Sequence, residues 1–224
     1  MSLRIAIVMD PIANITPYKD TSFALCLEAQ RRGYHIDYIE MQDLYIDNGV
    51  PYAKTQSLQV TDQNEDFYTL GDSKVQPLAN FDALLMRKDP PVDDQFIYAT
   101  HIFSLAEKLG VLVVNKSQAL RDFNEKLFTA YFPELIPDTL VTRDKALAKA
   151  FHAKHHDIIC KPLDGMGGAS IFRIKEDANN LGVVIETLTH NGEKLAMFQR
   201  YLPAIKDGDK RILIVNGEVM EYCL

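Results

Sequence analysis

The sequence predicts an α/β protein built in two parts, and three observations carry this prediction. The chain opens with an apolar run, a capped amphipathic helix and a second apolar run, the β-loop-α-β order that builds parallel sheets. This alternation resumes after an interruption and continues to Asn115, beyond which strands and helices follow a different order. The length of 224 residues is enough for one large domain or two modest ones.

The first β-loop-α-β unit can be followed residue by residue. RIAIVM at 4–9 is β-branched and apolar and is predicted to be a buried strand. The next helix is predicted over Thr21–Arg32, because Asp20 can cap its start and Gly33 ends it. Its buried face is expected to carry Phe23, Ala24 and Leu27. HIDYIE then supplies the second strand.

A hairpin interrupts the alternation at Asn48-Gly49, a dipeptide favoured in two-residue turns between strands. Residues 50–80 are polar and strand-like, which predicts a meander at the edge of the sheet. FDALLM at 81–86, a helix over Gln95–Leu109 and VLVVN at 111–115 restore the alternation.

The second part begins with KSQALRDFNEKLFTAYF, which is predicted to be helical up to Pro133. A strand, a helix over Lys145–His156 and the strand DIICKPL follow, and then SIFRI, a further helix and the strand AMFQRYL. The final RILIVNGEVMEYCL is predicted to be two strands around a second Asn-Gly turn. A domain boundary is expected near residue 120.

Composition and charge exclude several classes of protein. Hydrophobic residues make up 47% of the chain, as in folded rather than disordered proteins. The net charge is −7, and the first 112 residues carry the whole excess, with 9 basic and 16 acidic residues. A surface for nucleic acid or anionic membrane along the whole chain is therefore not expected.

The cysteines and the N-terminus indicate the compartment. Cys26, Cys160 and Cys223 are far apart and show no CxxC spacing, so they form no disulfide framework and fit a reducing environment. No apolar stretch is long enough for a signal peptide or a membrane-spanning helix. The expected location is the cytoplasm.

The glycine-rich segment that begins at Lys161 is the most informative motif. The lysine ends a strand, and Gly165, Gly167 and Gly168 lie in the loop before the next strand. This arrangement suits a flexible lid whose N–H groups meet phosphate oxygens. The segment is neither a P-loop nor a GxGxxG after a first strand. The alternative is a glycine-rich hairpin with no ligand.

Two lysines could converge on one polyphosphate. Lys126 is predicted to lie on a helix, 35 residues before Lys161, and each side chain could place an ammonium on the anion. Taken singly, each lysine could equally be a solvated surface residue.

Three further segments have a functional and a structural interpretation. Met197–Pro203 crosses from a strand into a linker, where main-chain groups could meet an adenine edge or simply end the strand. Asp207 and Asp209 suit either a ribose hydroxyl or a turn. Arg87, at a strand end, could clamp a carboxylate or form a surface salt bridge.

The histidines of HAKHH are not predicted to bind metal. His152, His155 and His156 lack the cysteine or carboxylate partners that would complete a zinc site. They are expected to be a solvated helix end, and no metal-ligating residue is predicted in the chain.

Six segments together resemble the bacterial glutathione synthetases of the ATP-grasp superfamily. They are DPIANI (10–15), KDTSFA (19–24), MRKDPP (86–91), NEKLFTA (124–130), CKPLDGMGGASIFR (160–173) and RYLPAIKDGDKRILIVNGE (200–218). They occur in order and span essentially the whole chain, which makes them more specific than one glycine loop. MRKDPP and PLDGMGGAS indicate this family rather than ATP-grasp ligases in general.

The resemblance implies a fold and an activity. The regions are a Rossmann-like pre-ATP-grasp substrate domain (1–122), an ATP-grasp α+β nucleotide-binding lobe (123–202) and the beginning of the C-terminal ATP-grasp lobe (203–224). The implied enzyme is a ligase in which ATP phosphorylates the cysteinyl carboxylate of γ-glutamylcysteine, glycine attacks the acyl phosphate and phosphate leaves. The alternatives are another ATP-grasp carboxylate-amine ligase and a non-catalytic nucleotide-binding module.

The resemblance also implies roles for individual residues. Lys126 and Lys161 contact the ATP phosphates, and Arg211 lies near the transferred phosphoryl group as the catalytic residue. Arg87 and Asn14 face the dipeptide. The lid consists of Gly165, Met166, Gly167, Gly168, Ala169 and Ser170. The adenosine is held by Gln199, Arg200, Tyr201 and Leu202 at the base and by Asp209 at the ribose.

The substrates implied are ATP, γ-glutamylcysteine and glycine, and the family makes a homo-oligomer plausible. Mg²⁺ or Mn²⁺ is the implied metal, and the family's metal ligands lie beyond the place where this chain ends. The chain is therefore expected to be the N-terminal part of a longer enzyme, with little synthetase activity by itself.

Overall fold

The computed structural model describes residues 2–222, which fall into two compact units. One unit comprises the chain up to Glu125 together with Asp164–Gly167, and the other comprises Lys126–Leu163 and the chain from Gly168 onward. No helix among the described residues has the length and apolar character needed to cross a bilayer.

The first unit is built on a mixed sheet of seven strands. Its strands are β1 (Arg4–Met9), β2 (His35–Ile39), β3 (Leu44–Asp47), β4 (Val50–Val60), β5 (Tyr68–Pro77), β6 (Ala83–Arg87) and β7 (Leu112–Val114). The order is β3-β4-β2-β1-β6-β7, with β5 paired to β4. The four strands β2, β1, β6 and β7 are parallel, while β3, β4 and β5 are antiparallel additions at one side.

Apolar residues cover both faces of this sheet, as parallel strands require. Successive residues of β1 alternate between two clusters, so that Val8 packs with Phe103 and Ile7 packs with Phe23. The two aromatic residues lie on α2 (Asp94–Lys108) and α1 (Thr21–Arg31), and α3 (Ser117–Asp122) follows β7.

The start of α1 agrees with the sequence, but its buried face does not. The Asp20 carboxylate accepts a hydrogen bond of 2.8 Å from the Phe23 N–H, as the capping prediction requires. Phe23 is buried as expected, whereas Ala24 is exposed and Leu27 only half-buried. The buried face is formed by Ser22, Phe23, Cys26 and Ala29. Phe23, Cys26 and Ala29 follow the i, i+3 and i+6 spacing, and Ser22 lies four residues before Cys26, so the helix is rotated from the expected orientation.

The second unit contains a four-stranded antiparallel sheet with two helices. Its strands are β8 (Thr139–Thr142), β9 (Ile158–Pro162), β10 (Phe172–Ile174) and β11 (Ala196–Arg200), and its helices are α4 (Lys145–His155) and α5 (Leu181–Thr189). The order is β10-β9-β11-β8. Its core contains the fully buried Ile158, Cys160 and Phe198, packed with residues of both helices. The α/β prediction for the chain is confirmed.

Both Asn-Gly turns are confirmed. Asn48 and Gly49 have φ values of 46° and 81° between β3 and β4. Asn216 and Gly217 have φ values of 52° and 83° between β12 (Ile214–Val215) and β13 (Glu218–Val219). Two successive positive φ values are the requirement that makes Asn-Gly the favoured pair in such hairpins.

The long helix expected before Pro133 is wrong. The helix ends at Asp122, and a short 3₁₀ helix at Leu127–Tyr131 follows after a break. Phe123 and Asn124, both weak helix formers, lie at the break. Lys126 precedes the 3₁₀ helix and does not lie on an α-helix.

Candidate functional site

A cavity of about 450 Å³ in the second unit is the leading candidate site. It lies against β9 and β11 and the turn that follows β11. Its lining is Pro137, Ile159, Lys161, Ile171, Gln199, Arg200, Tyr201, Leu202, Ala204, Ile205 and Gly208. Most of these side chains are apolar, and Lys161, Gln199 and Arg200 bring long polar side chains to it. Such a lining is typical of a small-molecule site with a few orienting polar groups.

The alternation of β9 directs Lys161 toward this cavity. Ile158 and Cys160 are fully buried in the core of the unit. Because successive side chains of a strand point to opposite faces, Ile159 and Lys161 share the other face. Lys161 pairs with Met197 in the register of β9 and β11. The sequence position of the lysine at a strand end is confirmed.

The end of β11 is fixed by hydrogen bonds to two other segments. The side-chain amide of Gln199 donates to the Thr139 hydroxyl at 2.9 Å. The N–H of Arg200 donates to the Asp138 carbonyl at 2.9 Å, and the N–H of Tyr201 donates to the Asp157 carbonyl at 3.0 Å. These hydrogen bonds fix the point at which the chain leaves β11 and enters the turn that lines the cavity.

The glycine-rich loop connects β9 to β10, which pair antiparallel through Cys160 and Phe172. Gly167 and Gly168 have φ values of +66° and +78°, and Ser170 has a φ of 57°. A Cβ at either glycine would meet nothing within 4 Å, so the backbone conformation rather than space explains the glycines. The predicted strand-loop-strand arrangement is confirmed, whereas the loop's role as a lid stays a prediction.

The cavity brings together only part of the predicted site. Lys161 and the segment Gln199–Leu202 line it, but Lys126, Asp209 and Arg211 are not part of its lining in the described range. Asp209 and Arg211 are exposed in a segment without regular secondary structure, although the adjacent Gly208 does line the cavity. None of the residues at 165–170 lines the cavity among the residues the structure describes.

Sequence reasoning missed the apolar walls. Pro137, Ile159, Ile171, Ala204 and Ile205 line the cavity although none of them was a candidate. The position of Ile159 could have been found from the alternation of β9, because it lies two residues before Lys161. Ala204 and Ile205 directly follow the predicted segment, in the 3₁₀ helix Pro203–Asp207, whereas Pro137 and Ile171 come from segments that only the strand pairing brings near.

The second candidate region lies in the first unit, at the carboxyl ends of β1 and β6. Met9 and Arg87 are partners in the register of these strands. The guanidinium of Arg87 donates to the Ser22 hydroxyl at 3.0 Å. Asn14 lies in the short 3₁₀ helix that follows β1. Ligands commonly bind at the carboxyl ends of parallel strands, so this position suits a substrate site.

Charged groups are concentrated at these strand ends. Asp10 forms an ion pair of 2.8 Å with Lys88, and its carboxylate accepts a 2.8 Å hydrogen bond from the N–H of Asp89. Burial, followed by the nearby charges of Asp10 and Asp20, raises the pKa of Asp89. The direction of the shift indicates that burial and the neighbouring carboxylates together outweigh the attraction of Lys88 and Arg87.

The expected solvated histidine cluster is wrong for one residue. The side chain of His155 is only 7% exposed and packs on the Phe151 ring, with centroids 4.4 Å apart. His152 contacts the Lys175 carbonyl, and His156 lies 3.2 Å from a Glu176 carboxylate oxygen. Residues 2–222 contain no cluster of three or more His, Cys, Asp or Glu that could hold a metal ion.

Two cysteines are buried and free. Burial raises the pKa of the Cys26 and Cys160 thiols to about 12, so neither is a reactive thiolate at neutral pH. Cys223 lies outside the described residues.

Two family models cover nearly the whole chain. The model of the prokaryotic glutathione synthetase N-terminal domain matches residues 3–121, and that of the prokaryotic glutathione synthetase ATP-grasp domain matches residues 125–224. The chain belongs to the prokaryotic glutathione synthetase family. Glutathione synthetase of Escherichia coli K12 is 60% identical over 222 residues, covering 99% of this chain and 70% of that protein. The relative from Salmonella typhimurium LT2 is 59% identical over the same shares.

Solved structures support the ATP-grasp fold. D-cycloserine synthetase DcsG has a TM-score of 0.60 at 15% identity, covering 90% of this chain and 60% of that one. A RimK domain protein from Sphaerobacter thermophilus has a TM-score of 0.56 at 17% identity, covering 89% and 64%. At these identities the likeness concerns the fold alone.

The family assignment confirms the resemblance carried by the six segments. It also confirms the class of the enzyme, an ATP-dependent ligase of the ATP-grasp type that acts in glutathione biosynthesis.

Proposed function

We propose that the 450 Å³ cavity of the second unit binds the adenosine part of ATP, and that the protein uses ATP to join γ-glutamylcysteine to glycine. The observation that carries the proposal is the pairing of apolar walls with Lys161 and the fixed chain end at Gln199–Leu202 in one cavity. A purine ring needs apolar contact on its faces and a few hydrogen-bonding groups at its edge.

Main-chain groups at the end of β11 and just after it are the proposed partners of the adenine edge. The N–H groups of Arg200 and Tyr201 already donate to the carbonyls of Asp138 and Asp157. The edge of the base is therefore assigned to the remaining main-chain groups of Gln199–Leu202, the N–H of Leu202 foremost.

Positive groups are proposed to hold the triphosphate. Lys161 and Lys126 contact its oxygens, and Arg211 stabilises the phosphoryl group during transfer. The acidic Asp209 is proposed to hold the ribose instead. Charge spreads over the oxygens of that group in the transition state, so cations lower the barrier. The loop at Gly165–Ser170 covers the phosphates and excludes water, which would otherwise hydrolyse the acyl phosphate.

The strand ends of the first unit are the proposed dipeptide site. Arg87 offers a planar fork that suits a carboxylate, and Asn14 offers an amide that can donate and accept hydrogen bonds. Arg87 is the last residue of β6 and Asn14 follows β1, and these parallel strands end at the same edge of the sheet.

The metal ion of the reaction is not assigned to residues of this chain. Mg²⁺ prefers six oxygen ligands, carboxylates among them, and no cluster of three or more potential ligands exists within residues 2–222. We therefore propose no ligand of the Mg²⁺ or Mn²⁺ that the family implies among residues 2–222. We also propose that the protein is cytoplasmic and forms a homo-oligomer; light scattering on the purified protein tests the oligomeric state, and cell fractionation tests the location.

Titration of the 224-residue chain with ATP, followed by calorimetry, tests the nucleotide site. Lys161→Met is expected to weaken ATP binding about tenfold or more, because a hydrogen bond to a charged group is lost. Lys154→Met, an exposed lysine of α4, is the matched control and should leave the affinity unchanged. Equal ATP affinity of the Lys161→Met variant and the unaltered chain would contradict the proposal.

A further inference from the structure

Two successive cavity residues are each held by an aspartate that precedes a neighbouring strand. Arg200 donates its N–H to the carbonyl of Asp138, and its guanidinium lies 3.4 Å from the Asp138 carboxylate. Tyr201 donates its N–H to the carbonyl of Asp157. The two residues differ in how their side chains are held.

The side chain of Tyr201 is held through a third residue. Arg173 donates two hydrogen bonds to the Asp157 carboxylate, from Nε at 3.0 Å and from Nη2 at 2.7 Å. The same guanidinium lies over the Tyr201 ring, 3.5 Å from its centroid. Asp157 therefore fixes the main chain of Tyr201 directly and its ring through Arg173. Tyr201 lines the cavity, whereas Arg173 and Asp157 are not among its lining residues.

We propose that Arg173 and Asp157 are positioning residues of the nucleotide site, which hold the Tyr201 ring in the orientation that the adenine base requires. The proposal rests on the proposed function of the cavity as the adenosine site. It adds two residues that touch no nucleotide and act only through Tyr201.

The geometry distinguishes this group from an ordinary surface ion pair. A single exposed pair contributes little, because solvent screens it and two side chains lose freedom. Here the contact is bidentate, so the guanidinium plane is fixed, and the ring lies on that plane. The lowered pKa of Asp157, caused first by its hydrogen bonds from Arg173, is consistent with a persistent contact. The Asp138–Arg200 ion pair, by contrast, is a single contact of 3.4 Å and has no bidentate geometry.

The test compares two probes, ATP and inorganic tripolyphosphate, on the 224-residue chain. Tripolyphosphate reports the lysine contacts without a base, so the ratio of the two affinities isolates the base site. Arg173→Met should weaken ATP binding about five- to tenfold and leave tripolyphosphate binding unchanged. Arg173→Lys should fall between, because it keeps the charge but loses the planar fork.

Arg143→Met is the matched control, since Arg143 is an exposed arginine of the same unit with one 3.4 Å contact to the Glu193 carbonyl. The inference is overturned if Arg173→Met leaves both affinities unchanged. It is also overturned if the variant weakens both probes equally, which would show a general structural role. If the unaltered chain does not bind ATP, both the proposed function of the cavity and this inference are wrong. If ATP binds and Lys161→Met weakens it while Arg173→Met does not, only this inference fails.

Discussion

The cavity of the second unit and the strand ends of the first unit are formed by different kinds of residue. Apolar side chains form most of the cavity, and main-chain hydrogen bonds fix its polar end. The strand ends instead gather the carboxylates of Asp10, Asp20 and Asp89 with the cations of Arg87 and Lys88. Recognition in the cavity therefore depends on packing and strand register, whereas recognition at the strand ends depends on charge.

The difference follows from the two kinds of sheet. In the antiparallel sheet of the second unit, the alternation of β9 sends one set of side chains to the core and the other to the cavity. In the first unit, the carboxyl ends of parallel strands meet at one edge, and the polar loops after them converge. Packing changes should therefore affect the cavity most, and changes of charge or pH should affect the strand ends.

The largest effect is expected from the core beneath the cavity. Phe198→Ala removes a fully buried ring from β11, next to Gln199, and should cost about 3–5 kcal/mol of unfolding free energy. ATP binding should fall with it because the end of β11 forms the cavity. Urea unfolding and ATP calorimetry measure the two effects.

Leu147→Ala, at an exposed position of α4, is the control and should change stability by less than about 0.5 kcal/mol. Phe103→Ala removes a fully buried ring from the first unit and should cost a similar amount there. If Phe198→Ala retained full ATP affinity and stability, the dependence of the cavity on its packed strand would be wrong.

The fold could be predicted from sequence where the signal is local. Asn48-Gly49 and Asn216-Gly217 form the expected turns because the turn chemistry is contained in two residues. The start of α1 follows from the Asp20 cap in the same way. The helix extent around Lys126 was wrong, because the break lies at two weak helix formers, Phe123 and Asn124, rather than at one strong signal such as proline.

The candidate site, like the fold, could be predicted from sequence only where the signal is local. The strand-end position of Lys161 and the exit of β11 could be predicted, since each is a local pattern. The group of Asp157, Arg173 and Tyr201 could not, because the three residues belong to separate segments. The burial of His155 was missed although helix spacing predicts its contact with Phe151, four residues earlier on α4, whereas its neighbour Asp138 comes from a separate segment.

An intermediate effect is expected at Arg87. Arg87→Met removes the proposed carboxylate fork and should weaken γ-glutamylcysteine binding about tenfold, with no change in ATP affinity. Arg31→Met, an exposed arginine of α1 paired with Glu28, is the matched control and should leave both affinities unchanged. Calorimetric titration with each ligand separates the two sites. A loss of ATP affinity without a loss of dipeptide affinity would reverse the assignment of the two regions.

The smallest effect is expected from Asp89, whose pKa is raised above its ordinary value of 3.8. A raised pKa means that the folded state binds the proton more tightly, so the charged form destabilises the fold at neutral pH and this penalty fades as the pH falls. Asp89→Asn should therefore stabilise the protein at neutral pH, by about 0.5 kcal/mol or less because the group is partly solvated. The difference should vanish below pH 3.8.

Glu28, in the same unit, has a pKa shift opposite in direction to that of Asp89. Hydrogen bonds from Arg31 and Arg32 lower the pKa of Glu28 from 4.5 to about 2. Its contribution is therefore complete above pH 4.5 and is lost as the pH falls toward 2, so Glu28→Gln should be less stable than the unaltered chain only at the higher pH. Urea unfolding at pH 7 and at low pH measures both variants. If Asp89→Asn destabilised the protein at pH 7, the carboxylate would be stabilising, and the unfavourable burial and charge repulsion inferred at Asp89 would be wrong.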